Sequence, residues 1–233
     1  MAVPNVDFSS PYYPYRKVIE GNEMRGAELI PYKIMMYLLD MPDSAGYTPV
    51  DDNERPRVRL IKLLTFDGPN PLAQPLPSPQ EKLSILFNGD EPDINTDEQQ
   101  TKHPYGYRLF TQRNIAQSGI KAKTILKIYP GRVLDPTDSK SVIGFQAEIW
   151  TNPNFSSTKT TSRDRLWDIE CELRDSLNGV DIQGVGCIKF CRQDGSFNGS
   201  ENLFGDNGEI GRIVYFSTNW LGGGAKTITT YNI

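Results

Sequence analysis

The strongest constraint on the fold is one amphipathic helix that the sequence places between two pairs of strands. Apolar residues recur there at helical spacing: Leu166, Ile169, Leu173 and Leu177. Thr161 or Ser162 is the expected N-cap, and Asn178-Gly179 is a typical C-terminal stop signal. The other side of this helix is charged, so we expect it to pack through one face only.

The residues on both sides of this helix alternate between apolar and polar, as half-buried strands do. Before it we predict strands over 122–128 and 145–150, and after it over 186–190 and 211–220. A loop rich in glycine, asparagine and aspartate, over 193–209, joins the last two strands. This order predicts the α+β class, with a mainly antiparallel β-sheet, one main amphipathic helix packed on it, and long loops.

The first half of the chain gives a weaker pattern. Residues 22–41 fit either a helix entered at Pro31 or a strand over 32–39. We favour the strand, because a second strand-like run follows at 57–66. A further strand is expected over 83–87.

Long polar connections and a proline-rich beginning divide the chain. Residues 1–20 alternate proline with aromatic residues and are expected to form an extended N-terminal arm, which either frays or drapes over a neighbouring subunit. The segment DGPNPLAQPLPSPQ, over 67–80, is too proline-dense for a helix or a sheet interior, so it predicts a stiff connection. We therefore predict the arm, a β-rich section with long proline-rich and acidic loops over 21–115, and an α+β domain over 116–233.

The reactive side chains do not form the pattern that a catalytic or metal site requires. His103 is the single histidine, whereas hydrolytic triads and most metal sites use histidine. Cys187 and Cys191 share a face of a predicted strand, and a four-ligand zinc site with Cys171 and His103 is conceivable. Their spacing matches no zinc module, which favours buried thiols. The sequence therefore predicts no catalytic residues, no cofactor and no metal.

Three other motifs imitate functional ones without meeting their requirements. Residues 222–227 resemble a phosphate loop, yet Ala225 stands where glycine must precede the lysine. Asp194 and the residues after it imitate the start of a calcium loop that lacks its final acidic ligand. Asp93 and Asp138 resemble a nuclease core pattern, but Asp138 falls in a polar turn, whereas a nuclease needs its acids on a strand beside the metal.

Composition and charge exclude other classes of protein. The chain has 233 residues, enough for one large domain or two small ones. Its formal net charge of -4 argues against a general nucleic-acid binder. The sequence has no signal-peptide pattern and no run of about 18 apolar residues that would span a membrane. An odd number of cysteines argues against a disulfide framework, so we expect reduced thiols and a cytoplasmic site of synthesis.

Four segments of the second half resemble the tail-completion or tail-terminator family of bacteriophage neck proteins. They are FQAEIWTNPNF, RDRLWDIECELRDSLNG, IQGVGCIKF and GEIGRIVYFSTNW, which follow the order of strands and helix in that family. The resemblance covers residues 123–220 and implies a ring, usually between the connector and the tail. Residues 20–115 have no counterpart in typical members and resemble extra neck modules of podovirus-like or crAss-like virions.

The sequence and this resemblance together predict a non-enzymatic structural protein of the virion, located in the head-to-tail connector, or neck. The resemblance implies a homo-oligomeric ring that contacts the portal or other neck and tail proteins. Genomic DNA would pass through its lumen without specific binding, and no membrane is involved. Two alternatives stay open: a tail-side or baseplate adaptor, and a metal-dependent nuclease that uses Asp93 and Asp138. The residues expected at assembly contacts are Tyr12, Tyr13, Tyr15, Asp194, Asn198 and Asp206.

Overall fold

The computed structural model describes most of the chain in separate stretches. They are residues 29–40, 51–87, 103–113, 124–134, 141–157, 164–182, 184–190, 199–205 and 208–220. None of the helices in these stretches is long and apolar enough to cross a membrane.

Three helices form the first part of the described chain. They are α1 (Ile30–Leu38), α2 (Pro56–Thr65) and α3 (Pro79–Ser84). Each has a proline in its first turn, where the missing N–H would have had no partner within the helix. Ser78 and Glu81 add a capping box to α3.

These helices correct the predictions for the first half. The strands expected over 32–39 and 57–66 are wrong: the helical alternative is right for Ile30–Leu38, and α2 occupies the second run. The strand expected over 83–87 is also wrong, since α3 ends at Ser84 and only an isolated bridge from Leu86 to Leu109 follows. Short apolar runs carry no period that separates a buried helix from a strand.

Seven strands in the described residues form one sheet. They are β1 (Leu109–Phe110), β2 (Ile125–Leu134), β3 (Ser141–Thr151), β4 (Asp181–Ile182), β5 (Gly186–Lys189), β6 (Ser200–Phe204) and β7 (Ile210–Trp220). Their order is β1-β2-β3-β7-β5-β4, and β6 also pairs with β7. All pairs except β1 with β2 are antiparallel. Helices together with a mainly antiparallel sheet correspond to the α+β class.

The hairpin of β6 and β7 corrects the loop predicted over 193–209. β6 lies inside that range, and Gly208 makes the turn with a φ of 76°. The strand was missed because its side chains are mostly exposed, so no apolar alternation marks it. The four strands predicted in the second half correspond to β2, β3, β5 and β7, although β2 runs from Ile125 to Leu134 and so continues past the predicted end at residue 128.

The helix α4 (Arg165–Leu177) lies between β3 and β4 in the chain and packs against α2 and the sheet. Its N-cap is Asp164, whose carboxylate accepts a hydrogen bond from the Leu166 N–H at 3.1 Å, and not Thr161 or Ser162 as expected. After the C-cap Asn178, Gly179 has a φ of 78°, which glycine adopts without strain.

Buried apolar side chains from both halves of the chain form a hydrophobic core between the helices and one face of the sheet. Its members include Ile34, Leu38, Leu60, Leu64, Leu126, Ile128, Phe145, Ala147, Ile149, Ile169, Leu173, Val214 and Phe216.

A buried arginine joins the helices to the turn after β3. Arg165 is fully buried and donates hydrogen bonds to four backbone carbonyls, at 2.6–2.8 Å. Leu63 and Phe66 at the end of α2 supply two of them, Gly68 the third and Phe155 the fourth. Burial lowers the pKa of the guanidinium, and the charge of the nearby Asp67 opposes this shift.

Substitution of Arg165 tests this arrangement. Arg165→Met keeps much of the volume but leaves buried carbonyls without donors, so we expect a loss of about 3–5 kcal/mol in the free energy of unfolding. Urea denaturation measures it. Arg55→Ala is the matched control, because Arg55 forms an ion pair with Asp52 that is about 40% exposed, and such pairs contribute about 0–1 kcal/mol. Equal effects of the two substitutions would contradict the assigned role.

Candidate functional site

The residues predicted at assembly contacts fall outside the part of the chain that the structure describes. They are Tyr12, Tyr13, Tyr15, Asp194, Asn198 and Asp206. The same holds for Cys191 and for the two acids of the nuclease alternative, Asp93 and Asp138. These assignments therefore stay predictions.

The single histidine is part of a local hydrogen-bonded loop. His103 Nδ1 lies 2.8 Å from the carbonyl oxygen of Ser84, and its Nε2 lies 3.3 Å from the Tyr107 hydroxyl. Cys171 and Cys187 are half-buried, and neither is in a disulfide within the described residues. Within the described stretches, no three histidine, cysteine, aspartate or glutamate residues lie close enough to hold a metal ion.

A polar cluster occupies the sheet face that points away from the helices. The Glu148 carboxylate accepts hydrogen bonds from the Tyr129 hydroxyl and, at 3.1 Å, from the Trp150 Nε1–H. Lys127, which pairs with Glu148 across the strands, has its Nζ 3.7 Å from the carboxylate. The Trp150 ring covers Gly211: a Cβ there would lie 2.7 Å from a ring carbon, so only glycine fits.

An open pocket of about 580 Å³ lies beside this cluster. The residues that line it are Thr111, Gln112, Arg113, Tyr129, Pro130, Gly131 and Gln146. They offer hydroxyl, amide and guanidinium groups for hydrogen bonding. Burial and the hydrogen bond to Glu148 both raise the pKa of Tyr129 well above its usual range, so this hydroxyl stays a proton donor.

The raised pKa of Tyr129 predicts a loss of stability in alkali. The folded state holds the phenolic proton more tightly than the unfolded state, so this contribution is complete below pH of about 10 and falls as the pH rises above it. Tyr129→Phe should lower the free energy of unfolding at pH 7 by about 1–2 kcal/mol and flatten the alkaline decline. Urea denaturation between pH 7 and 11 measures both effects. An unchanged alkaline slope would contradict the prediction.

A second polar cluster is buried at the end of α1. Arg57 binds Asp40 at 2.8 Å, donates to the Tyr37 carbonyl at 3.0 Å, and stacks on the Tyr37 ring. Lys82 is 1% exposed, and neither its Nζ nor Asp40 Oδ2 has a hydrogen-bond partner in the described part of the chain. Burial lowers the pKa of Lys82, the nearby Asp40 opposes this shift, and Arg57 adds to it.

Removal of the Lys82 ammonium is expected to stabilise the protein. Lys82→Met should raise the free energy of unfolding at pH 7 by about 1 kcal/mol, because the buried charge lacks full compensation. The lowered pKa means that the gain shrinks as the pH rises towards about 10.4, where the unfolded lysine also loses its proton. Thermal unfolding at pH 7 and pH 10 measures this change. A destabilised Lys82→Met protein would contradict the prediction, because it would show that surrounding groups compensate the cost of burying the ammonium.

The third surface is an exposed aromatic patch, which we define as Trp167, Phe204 and Arg212. Trp167 is 46% and Phe204 80% exposed, and they are the exposed large hydrophobic residues of the described chain. The Arg212 guanidinium lies 4.9 Å from the centre of the Trp167 ring. Phe204 pairs with Ile210, two residues before Arg212, and so shares its sheet face.

Three hydrogen bonds hold the Arg212 side chain in place against the Trp167 ring. Its Nε donates to Glu170 at 2.6 Å, and its two terminal nitrogens donate to Asn202 and Ser200 at 2.8 and 2.6 Å. Within the described residues β6 pairs only with β7, so no other described strand pairs with its second edge. The patch therefore adjoins a strand edge with which no other described strand pairs.

Sequence reasoning missed this patch, although one signal was present. Trp167 falls on the charged side of α4, where a large aromatic residue is unexpected for a solvated helix face. Phe204 lies in a strand that the sequence did not reveal.

Comparisons with known proteins leave the chain unassigned: no family model matches it, and a search of curated proteins returns no match.

Proposed function

We propose that the protein is a non-enzymatic structural subunit of a ring in the head-to-tail neck of a tailed bacteriophage. The observation that carries the proposal is the aromatic patch beside the edge of β6 with which no other described strand pairs. In a subunit that works alone, exposed aromatic side chains next to unpaired backbone groups are an aggregation liability. In an assembly they are a contact surface.

The order of elements supports the same proposal. β2, β3, α4, β5 and β7 occur in the strand, strand, helix, strand, strand order on which the family resemblance rests, with β4 inserted before β5 and β6 inserted before β7. The β6–β7 hairpin occupies the place of the long polar loop and the closing strand. The helices α1 to α3 lie in residues 20–115, the part of the chain that has no counterpart in typical members of that family.

The charges of the chain suit a passive role around DNA. A net charge of -4 provides no general electrostatic attraction for DNA. DNA would therefore pass through the lumen of a ring without being bound. Lys127 and Glu148 neutralise each other on the outer sheet face. The partners that we propose are further copies of the chain and the portal or other neck and tail proteins, with the mature protein located in the virion.

Negative-stain electron microscopy of the purified protein, alone and mixed with portal protein, tests this function. We expect rings, or a collar added to the portal, with portal protein alone as the control. A monodisperse monomer that does not bind the portal would contradict a neck ring and would favour the tail-side or baseplate adaptor.

A further inference from the structure

We infer that the aromatic patch is the docking site for the N-terminal arm, residues 1–20, of a second copy of the chain. This inference rests on the proposed ring and names the contact that links one subunit to the next. The arm itself lies outside the described residues.

The patch has the chemistry and the rigidity of a binding hot spot. Tryptophan and arginine are enriched at the centres of protein interfaces, where desolvated aromatic rings contribute most of the affinity. The side chain of Arg212 is already fixed by Glu170, Asn202 and Ser200. Trp167 is in turn held against the guanidinium, so binding would order few side chains and would lose little entropy.

The arm carries the sequence that such a surface recognises. Pro11 and Pro14 enclose two tyrosines, and Tyr15 follows, giving the run PYYPY. Prolines at this spacing favour the polyproline II conformation, and segments of that kind dock against exposed aromatic rings. Tyrosine adds a large contact area with few rotatable bonds.

Charges around the patch complement those of the arm. Arg16 and Lys17 come directly after Tyr15. Asp164, the N-cap of α4, lies three residues before Trp167 and is exposed. Opposite charges at the rim of an interface favour the alignment that places the basic residues of the arm beside the acidic rim of the patch. Such charges speed association more than they add affinity.

The arm is long enough to reach another subunit. Tyr15 lies 14 residues and Tyr12 lies 17 residues before Leu29, the N-cap of α1. At about 3.3 Å per residue this stretch spans roughly 45–55 Å, which reaches a neighbouring subunit because a compact chain of this size is roughly 45 Å across. A contact in trans, repeated around an axis, closes a ring.

Complementation between two full-length variants tests the inference. The arm variant carries Tyr12→Ala, Tyr13→Ala and Tyr15→Ala and keeps the patch, while the patch variant carries Trp167→Ala and Phe204→Ser and keeps the arm. Sedimentation velocity should show association at least about tenfold weaker than wild type for each variant alone. An equimolar mixture should form heterodimers, because one intact arm then meets one intact patch.

Matched controls separate docking from folding. Ser9→Ala with Ser10→Ala alters the arm outside the tyrosines, and Asp175→Ala alters an exposed position elsewhere on α4. Both should associate as wild type does. Circular dichroism and thermal unfolding should show that the patch variant is folded, because Trp167 and Phe204 are exposed and contribute little to the core.

Each outcome bears on a different claim. If wild type forms rings and the patch variant forms the same rings, or if the mixture stays monomeric, the inference is wrong and the proposed function stands. Loss of portal binding by the patch variant without loss of self-association would assign the patch to another protein. If wild type neither assembles alone nor binds the portal, the proposed function fails, and the inference fails with it.

Discussion

The buried guanidinium of Arg165 is the interaction on which the arrangement of the described elements depends. Arginine carries five N–H donors in a planar fork, so the carbonyls it binds must lie at fixed positions around it. Here those carbonyls belong to the end of α2, the chain after it and the turn after β3. Because Arg165 is also the first residue of α4, one side chain fixes where that helix begins.

A second polar network continues from this point to the edge of the sheet. Asp67 lies in the sequence between two residues whose carbonyls Arg165 binds. Its carboxylate accepts two hydrogen bonds from Arg108, at 2.8 and 2.9 Å, and one from the Thr124 N–H at 3.3 Å. The Thr124 and Thr151 hydroxyls are 3.0 Å apart, which links β3 to this network. Hydrophobic burial is non-directional. These directional contacts therefore set how the helical first half sits on the sheet.

Periodicity revealed only those elements that bury one face. β3 was predictable because its buried residues alternate with half-exposed ones, and Phe145, Ala147 and Ile149 mark its core side. α2 buries residues on most sides, including Val58, Leu60 and Ile61, so no single stripe separates it from a strand. The role of Arg165 was not predictable, since its four partners are backbone atoms that carry no sequence signal. The patch was missed for a related reason: no described part of the chain covers Phe204.

The rigid frame and the exposed patch are consequences of the same contacts. Arg165 fixes the start of α4, which places Trp167 and Glu170 on the following turn, and Glu170 positions Arg212 on β7. A flexible surface would lose conformational entropy on binding, whereas a patch that is already ordered offers its aromatic area at little further cost. The chain thus uses directional polar contacts, and not the apolar core alone, to keep a large aromatic area exposed. That is the physical reason why we propose the patch as an interface.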